Sequence, residues 1–214
     1  MNLQTHYFSL AGAAGPLQCA LDMPAGAPRG FALVAHPHPL FGGTMDNKIV
    51  HTLVRAFNSL GYVALRMNFR GVGESGGLHD GGAGETDDMA QLLVHLQQQY
   101  PDLPFAFAGF SFGTFVLSQL QDRLARAGLP TAERLVLVGC AAGKWPMPPV
   151  PANTILIHGE QDDTIPLADV FTWARPQDLP VIVIPGADHF FHRKLQHIKN
   201  FVVELWQQPG SPLL

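Results

Sequence analysis

Short, largely apolar runs alternate along this chain with longer amphipathic segments, and that alternation leaves few folds open. Phe31–Ala35, Tyr62–Asn68, Phe105–Phe110, Arg134–Gly139, Thr154–His158 and Val181–Ile184 are the short runs. Runs of that length with no consistent polar side suit strands covered on both faces, as in a parallel sheet. Between them Met45–Leu60, Thr86–Gln99, Phe112–Ala127 and Leu167–Arg175 read as helices, and Phe190–Gln207 as a closing one. In Met45–Leu60, Ile49, Val50, Leu53, Val54 and Phe57 recur at helical spacing, and Gly61 stands just past the end. Thr86–Gln99 carries Asp87 and Asp88 in its first turn, near the positive end of the helix dipole. Tyr7–Leu10 and Leu17–Met23, joined by the turn Ala11–Gly15, read as an antiparallel hairpin at the sheet edge. The pattern predicts an α/β fold: a three-layer sandwich with a mostly parallel sheet and antiparallel N-terminal strands.

Composition narrows the setting. With 214 residues, 47% of them hydrophobic and 14% charged, the chain can bury a full core, and 1–214 is expected to be one domain. The Pro-rich stretch Lys144–Pro151 is short and reads as a loop rather than a linker. The formal net charge is −4 and the 13 Lys and Arg residues are scattered, so no nucleic-acid partner is expected. No basic amphipathic stretch or long apolar span points to a membrane; Leu103–Gln121 is broken by Gly109, Gly113 and polar residues. Cys19 and Cys140 lie in separate apolar runs and make neither a zinc pattern nor a disulfide framework, so they are expected to be buried reduced thiols. Met1–Leu10 lacks a basic n-region and an apolar h-region, and a cytoplasmic location is the expectation.

The chemistry centres on Gly109-Phe110-Ser111-Phe112-Gly113, a G-x-S-x-G between an apolar strand and a helix. That context places a serine on a sharp, strained turn with its Oγ projecting from the sheet, and the tight bend requires the flanking glycines. With this motif in place, the chain resembles the α/β-hydrolase superfamily, and four further segments carry the likeness. His36-Pro37-His38-Pro39-Leu40-Phe41-Gly42-Gly43-Thr44-Met45-Asp46-Asn47-Lys48 resembles the loop after the third strand in small capless bacterial members related to dienelactone hydrolases and serine aminopeptidase-type hydrolases. Asn68-Phe69-Arg70-Gly71-Val72-Gly73-Glu74-Ser75 is similar to the loop after the next strand. Gly159-Glu160-Gln161-Asp162-Asp163-Thr164-Ile165-Pro166 and Gly186-Ala187-Asp188-His189 resemble the loops of the acid and the histidine.

Serine needs an adjacent base, and this fold supplies the partners in the order Ser, acid, His. Asp162 and Asp163 both follow the strand Thr154–His158; the resemblance to G-x-x-D-x-x-V-P selects Asp162, with Asp163 as the alternative. His189 follows the last strand and is the expected base, whereas His192 and His197 fall on the closing helix and Asp188 reads as its N-cap. An oxyanion hole needs two backbone N–H donors. Phe112 supplies one; in the His36–Leu40 loop Pro37 and Pro39 cannot donate, which leaves His38, with Leu40 as fallback.

These residues imply a serine hydrolase working through an acyl-enzyme on a small-molecule, ester-like substrate of the carboxylesterase type. Only Lys144–Asn153 separate the strand ending near Gly143 from the next, which leaves no room for a cap domain. A shallow site follows, with Leu40, Phe41, Phe110, Phe112, Trp145 and Phe190 as candidate walls for an apolar acyl group of modest size. A peptidase, thioesterase or acyltransferase could use the same triad, since nothing in the sequence fixes the leaving group. A binding protein on this fold is the other alternative; it predicts a missing triad member, and none is missing. No metal is expected, because His36 and His38 stand without a nearby third ligand. No cofactor is expected either: Gly71–Gly77 lacks G-x-G-x-x-G and leads into a polar loop. An uncapped site also leaves room for a second subunit, so a homo-oligomer stays open.

Overall fold

The computed structural model describes residues 5–207. Met1–Gln4 and both ends of the expected 1–214 domain lie outside the described residues. The strands are β1 (Thr5–Gly12), β2 (Gly15–Asp22), β3 (Gly30–Ala35), β4 (Tyr62–Met67), β5 (Phe105–Phe110), β6 (Arg134–Val138), β7 (Ile155–Gly159) and β8 (Val181–Ile184). The helices are α1 (Lys48–Ser59), α2 (Ala83–Gln99), α3 (Phe112–Arg126), α4 (Leu167–Ala174) and α5 (Leu195–Gln207). The eight strands form one sheet in the order β1-β2-β4-β3-β5-β6-β7-β8. The hairpin β1–β2 and the pair β2–β4 are antiparallel, and every other pair is parallel.

Side chains alternate across a strand, so each central strand feeds two cores. Phe31, Leu33 and Ala35 of β3 join Leu92 and Leu96 of α2, Leu117 and Leu120 of α3 and Val170 of α4 on one face. Ala32 and Val34 join Ile49, Leu53 and Phe57 of α1 and Ile198 and Val202 of α5 on the other. The result is the three-layer sandwich the alternation predicts. Each large side chain that α1 buries contributes about 1.5–3 kcal/mol, so its apolar stripe, rather than helix propensity, fixes its place. Within β4, Arg66 is the polar exception: it is buried, with Nε 3.2 Å from Asp22 Oδ2 and Nη1 donating to Asp46 Oδ1 at 2.7 Å and the Met45 carbonyl at 3.1 Å.

Three helix starts differ from the sequence reading. α1 begins at Lys48 rather than Met45, because the Asn47 side chain accepts from the Ile49 amide at 2.8 Å and caps the helix there. α2 begins at Ala83 rather than Thr86, so the acid of its first turn is Glu85, whose Oε2 accepts from the Gly82 amide at 2.9 Å. α5 begins at Leu195, not Phe190, because Phe191 (φ 50°) and Arg193 (φ 62°) are left-handed and break the helical path. Asp188 is therefore no cap of α5. It closes a local turn, accepting from the His192 amide at 3.0 Å, and His192 lies on that turn before the helix.

The strand-to-strand passage from β6 to β7 spans only residues 139–154, and no cap domain is inserted there. The loops that follow β3, β4, β5, β6, β7 and β8 gather at the carboxyl end of the sheet. Clefts at that end of a parallel sheet are where α/β folds bind ligands.

Candidate active site

The turn from β5 into α3 bends so sharply that Ser111 takes φ 53° and ψ −122°, a conformation costing about 1–3 kcal/mol for a residue with a side chain. Close packing enforces it. A Cβ on Gly109 would stand 2.6 Å from the Gly113 backbone, and one on Gly113 would stand 2.5 Å from the Ala35 carbonyl oxygen. The Ser111 amide donates to the Val138 carbonyl at 2.9 Å, which ties the turn to β6.

From that turn the Ser111 Oγ lies 3.0 Å from His189 Nε2. His189 Nδ1 lies 2.7 Å from Asp162 Oδ2. A carboxylate only accepts, so Nδ1 carries the hydrogen and Nε2 is left to accept from the serine hydroxyl. The other oxygen of Asp162 accepts from the Thr164 amide at 3.0 Å and the Ile165 amide at 2.7 Å. Ser111, Asp162 and His189 are all buried. Asp163 is exposed and reaches only the Thr164 hydroxyl, so of the two aspartates the fold brings Asp162 to the histidine.

The amides of Phe112 and His38 make no hydrogen bond among the described residues. Phe112 opens α3, where helix geometry leaves the first N–H groups without intrahelical acceptors. Leu40, the fallback donor, is engaged: its amide donates to His38 Nδ1 at 3.2 Å. The loop that carries His38 is held by His36, whose Nε2 accepts from the Phe69 amide at 2.8 Å and whose Nδ1 bonds the Pro37 carbonyl at 2.6 Å. Burial pushes the His36 imidazole down to about 4, against a smaller upward pull from the Pro37 carbonyl. His38 is also lowered, by burial first and by neighbouring His79 second.

The expected wall residues divide into three kinds. Leu40 (71% exposed) and Phe41 (86% exposed) stand out at the rim, and Phe190 lies half in solvent with its ring 5.2 Å from that of His189. Half-buried Trp145 lies on the His38 side, with its ring centroid 5.6 Å from the imidazole. Phe110 and Phe112 belong to the core: both are buried, the Phe110 ring supporting His189 at 5.0 Å and the Phe112 ring lying 4.9 Å from His38.

Two polar arrangements were not legible beforehand. Glu85, fully buried, accepts from His79 Nδ1 at 2.7 Å, and the His79 ring packs 4.6 Å from His38 and 5.3 Å from Phe112. Burial, then the nearby Asp80 carboxyl, raises the Glu85 carboxyl above its usual range. His158, at the end of β7, lies beside Asp162. The only sequence signal for either was a lone polar residue next to a motif. Among the described residues no group of three or more His, Cys, Asp and Glu side chains is arranged to hold a metal ion. Cys19 and Cys140 are free and buried, and burial pushes both thiols up to about 12. No described helix is long and apolar enough to cross a membrane.

A mostly parallel sheet with a strained serine turn and a Ser–His–Asp contact at its carboxyl edge defines the class: an α/β serine hydrolase without a lid. Residues 40–170 match the family model described as "Serine aminopeptidase, S33", and the chain belongs to that hydrolase family. A lidless α/β serine hydrolase of Xanthomonas campestris superposes with a TM-score of 0.87 at 31% identity, covering 99% of both chains. An α/β serine hydrolase homologue from Coxiella burnetii gives a TM-score of 0.80 at 31% identity, covering 93% of this chain and 96% of that one. An uncharacterized protein of Rickettsia prowazekii is 32% identical over 185 residues, which are 80% of this chain and 76% of that protein.

Proposed function

We propose that this protein is a carboxylesterase-type serine hydrolase that cleaves small esters through an acyl-enzyme. The observation that carries the reading is the continuous relay Ser111 Oγ–His189 Nε2–Asp162, at 3.0 and 2.7 Å. Ser111 attacks the ester carbonyl while His189 takes its proton, and Asp162 holds the productive tautomer and stabilises the imidazolium. The amides of Phe112 and His38 receive the developing oxyanion, a role their free N–H groups suit. His189 then returns the proton to the leaving alcohol, and water repeats the sequence on the acyl-enzyme.

The substrate reading rests on the short β6–β7 passage, which holds no cap domain, and on the apolar side chains around the relay. Exposed Leu40, Phe41 and Phe190 and half-buried Trp145 favour an apolar acyl group of modest size, and no lid selects for more. Free, buried Cys19 and Cys140 fit a reducing, cytoplasmic setting. The test is a rate series on p-nitrophenyl acetate, butyrate and octanoate set beside aminoacyl p-nitroanilides. Fastest turnover of the short esters supports the reading. Faster anilide cleavage would move the protein to the peptidase side of its family.

A further inference from the structure

The strand that leads into the acid loop ends near a histidine that the relay does not use. His158 on β7 is wholly buried, with Nε2 2.9 Å from the Ile165 carbonyl oxygen and 3.3 Å from Asp162 Oδ2. Both neighbours are acceptors, so Nε2 carries the hydrogen and Nδ1 is bare. That Nδ1 is sealed from solvent and has no partner among the described residues. An unpaired buried acceptor is destabilising, and an apolar side chain of similar volume would avoid it. The residue therefore calls for an explanation in what its N–H does.

We propose that His158 is a positioning residue for the acid–base pair: its Nε2–H is given to the Ile165 carbonyl, and with Nε2 3.3 Å from Asp162 Oδ2 the ring braces the carboxylate against His189. The four-residue turn Asp162–Ile165 is then closed from both sides. Two amides hold Oδ1, and two imidazoles meet at Oδ2. Burial also holds His158 below the ordinary imidazole range, against upward pulls from the Ile165 carbonyl and Asp162. A neutral ring at this place spares His189 a second positive charge when it becomes an imidazolium. The assignment rests on the Ser111–His189–Asp162 reading above.

The test uses His158→Phe and His158→Gln in the full-length protein, each checked for folding by thermal melting. Phenylalanine keeps a ring and removes the N–H; glutamine can return an N–H near the same point. Losing the hydrogen bond that seats this brace is worth about tenfold. The Phe variant should therefore show kcat about tenfold lower with KM unchanged. With a looser carboxylate the imidazolium loses support, so the acid limb of kcat/KM moves to lower pH, and Gln recovers most of both. A folded Phe variant with wild-type kcat and an unmoved limb would overturn the assignment, as would a Gln variant no better than Phe. If the Phe variant does not fold, His158→Asn, too short to reach Ile165, carries the same expectations. Failure of both to fold would make the residue structural and overturn it too. Wild type that takes no fluorophosphonate label on Ser111 would instead refute the relay reading beneath it.

Discussion

Acidification charges a residue for which the fold has no place. His36 is wholly buried, its Nε2 accepts the Phe69 amide at 2.8 Å, and its Nδ1–H is given to the Pro37 carbonyl. A second proton would have to sit on Nε2, where it would face the Phe69 N–H instead of accepting from it. In the unfolded chain the imidazole takes that proton near 6.5, and in the folded protein at about 4. The folded pKa is the lower one, so the unfolded state binds more protons between the two values. The stabilisation is thus complete above about 6.5 and is lost as pH falls through about 4. At about 1.4 kcal/mol per unit, the full loss is about 3 kcal/mol, a large part of the roughly 5–15 kcal/mol that holds a domain folded. Urea unfolding near pH 7 and near pH 4 measures it, with His36→Gln as the reference, because glutamine can accept from Phe69 and does not titrate. His158 is lowered in the same direction, but it is present in both proteins and cancels in the difference. Wild type should lose about 3 kcal/mol more than the variant on acidification. Parallel losses in the two proteins would refute the argument.

The site and the scaffold make further predictions. Asp162→Asn, which leaves the shape of the relay but disturbs the His189 tautomer, should lower kcat by about four orders of magnitude in stopped-flow or steady-state ester assays with little change in melting temperature. Gly109→Ala would drive a methyl group to 2.6 Å from the Gly113 backbone, so the variant should unfold at least about 3 kcal/mol more easily in urea or fail to accumulate in soluble form. Asp22→Ala removes one of the two carboxylates on buried Arg66 and leaves Asp46, so it should cost about 1–3 kcal/mol by the same measurement, the loss of a hydrogen bond to a charged group.

How much of this was legible in the sequence depends on how local each feature is. The central strands were, because covering both faces of a strand forces nearly every side chain of Phe31–Ala35 or Phe105–Phe110 to be apolar. The serine turn and the histidine loop were, because each is a few consecutive residues with one function. Asp162 over Asp163 came from motif register, and the fold separates them by aiming only the first at His189. The helix starts differ where one local feature interrupts a longer amphipathic run. Asn47 caps α1 inside what reads as one amphipathic run, and the left-handed Phe191 and Arg193 interrupt a segment that has helical spacing throughout. Buried polar residues were missed for another reason. Arg66 is explained by Asp22, and Glu85 by His79, and such pairings appear only when strands and loops are assembled. Phe110 shows the converse: its place beside Ser111 suggested a pocket wall, but strand alternation turns it to the opposite core, under the histidine.

Ser111 as nucleophile, activated by His189, is the step on which the proposed chemistry depends. Intact-mass analysis after fluorophosphonate treatment, followed by peptide mapping, tests it most directly in wild type, Ser111→Ala and His189→Ala. One adduct per wild-type chain is expected, located on Ser111, with none on Ser111→Ala and strongly slowed labelling when His189 is lost. An unlabelled but folded wild type, or an adduct on another residue, would contradict it.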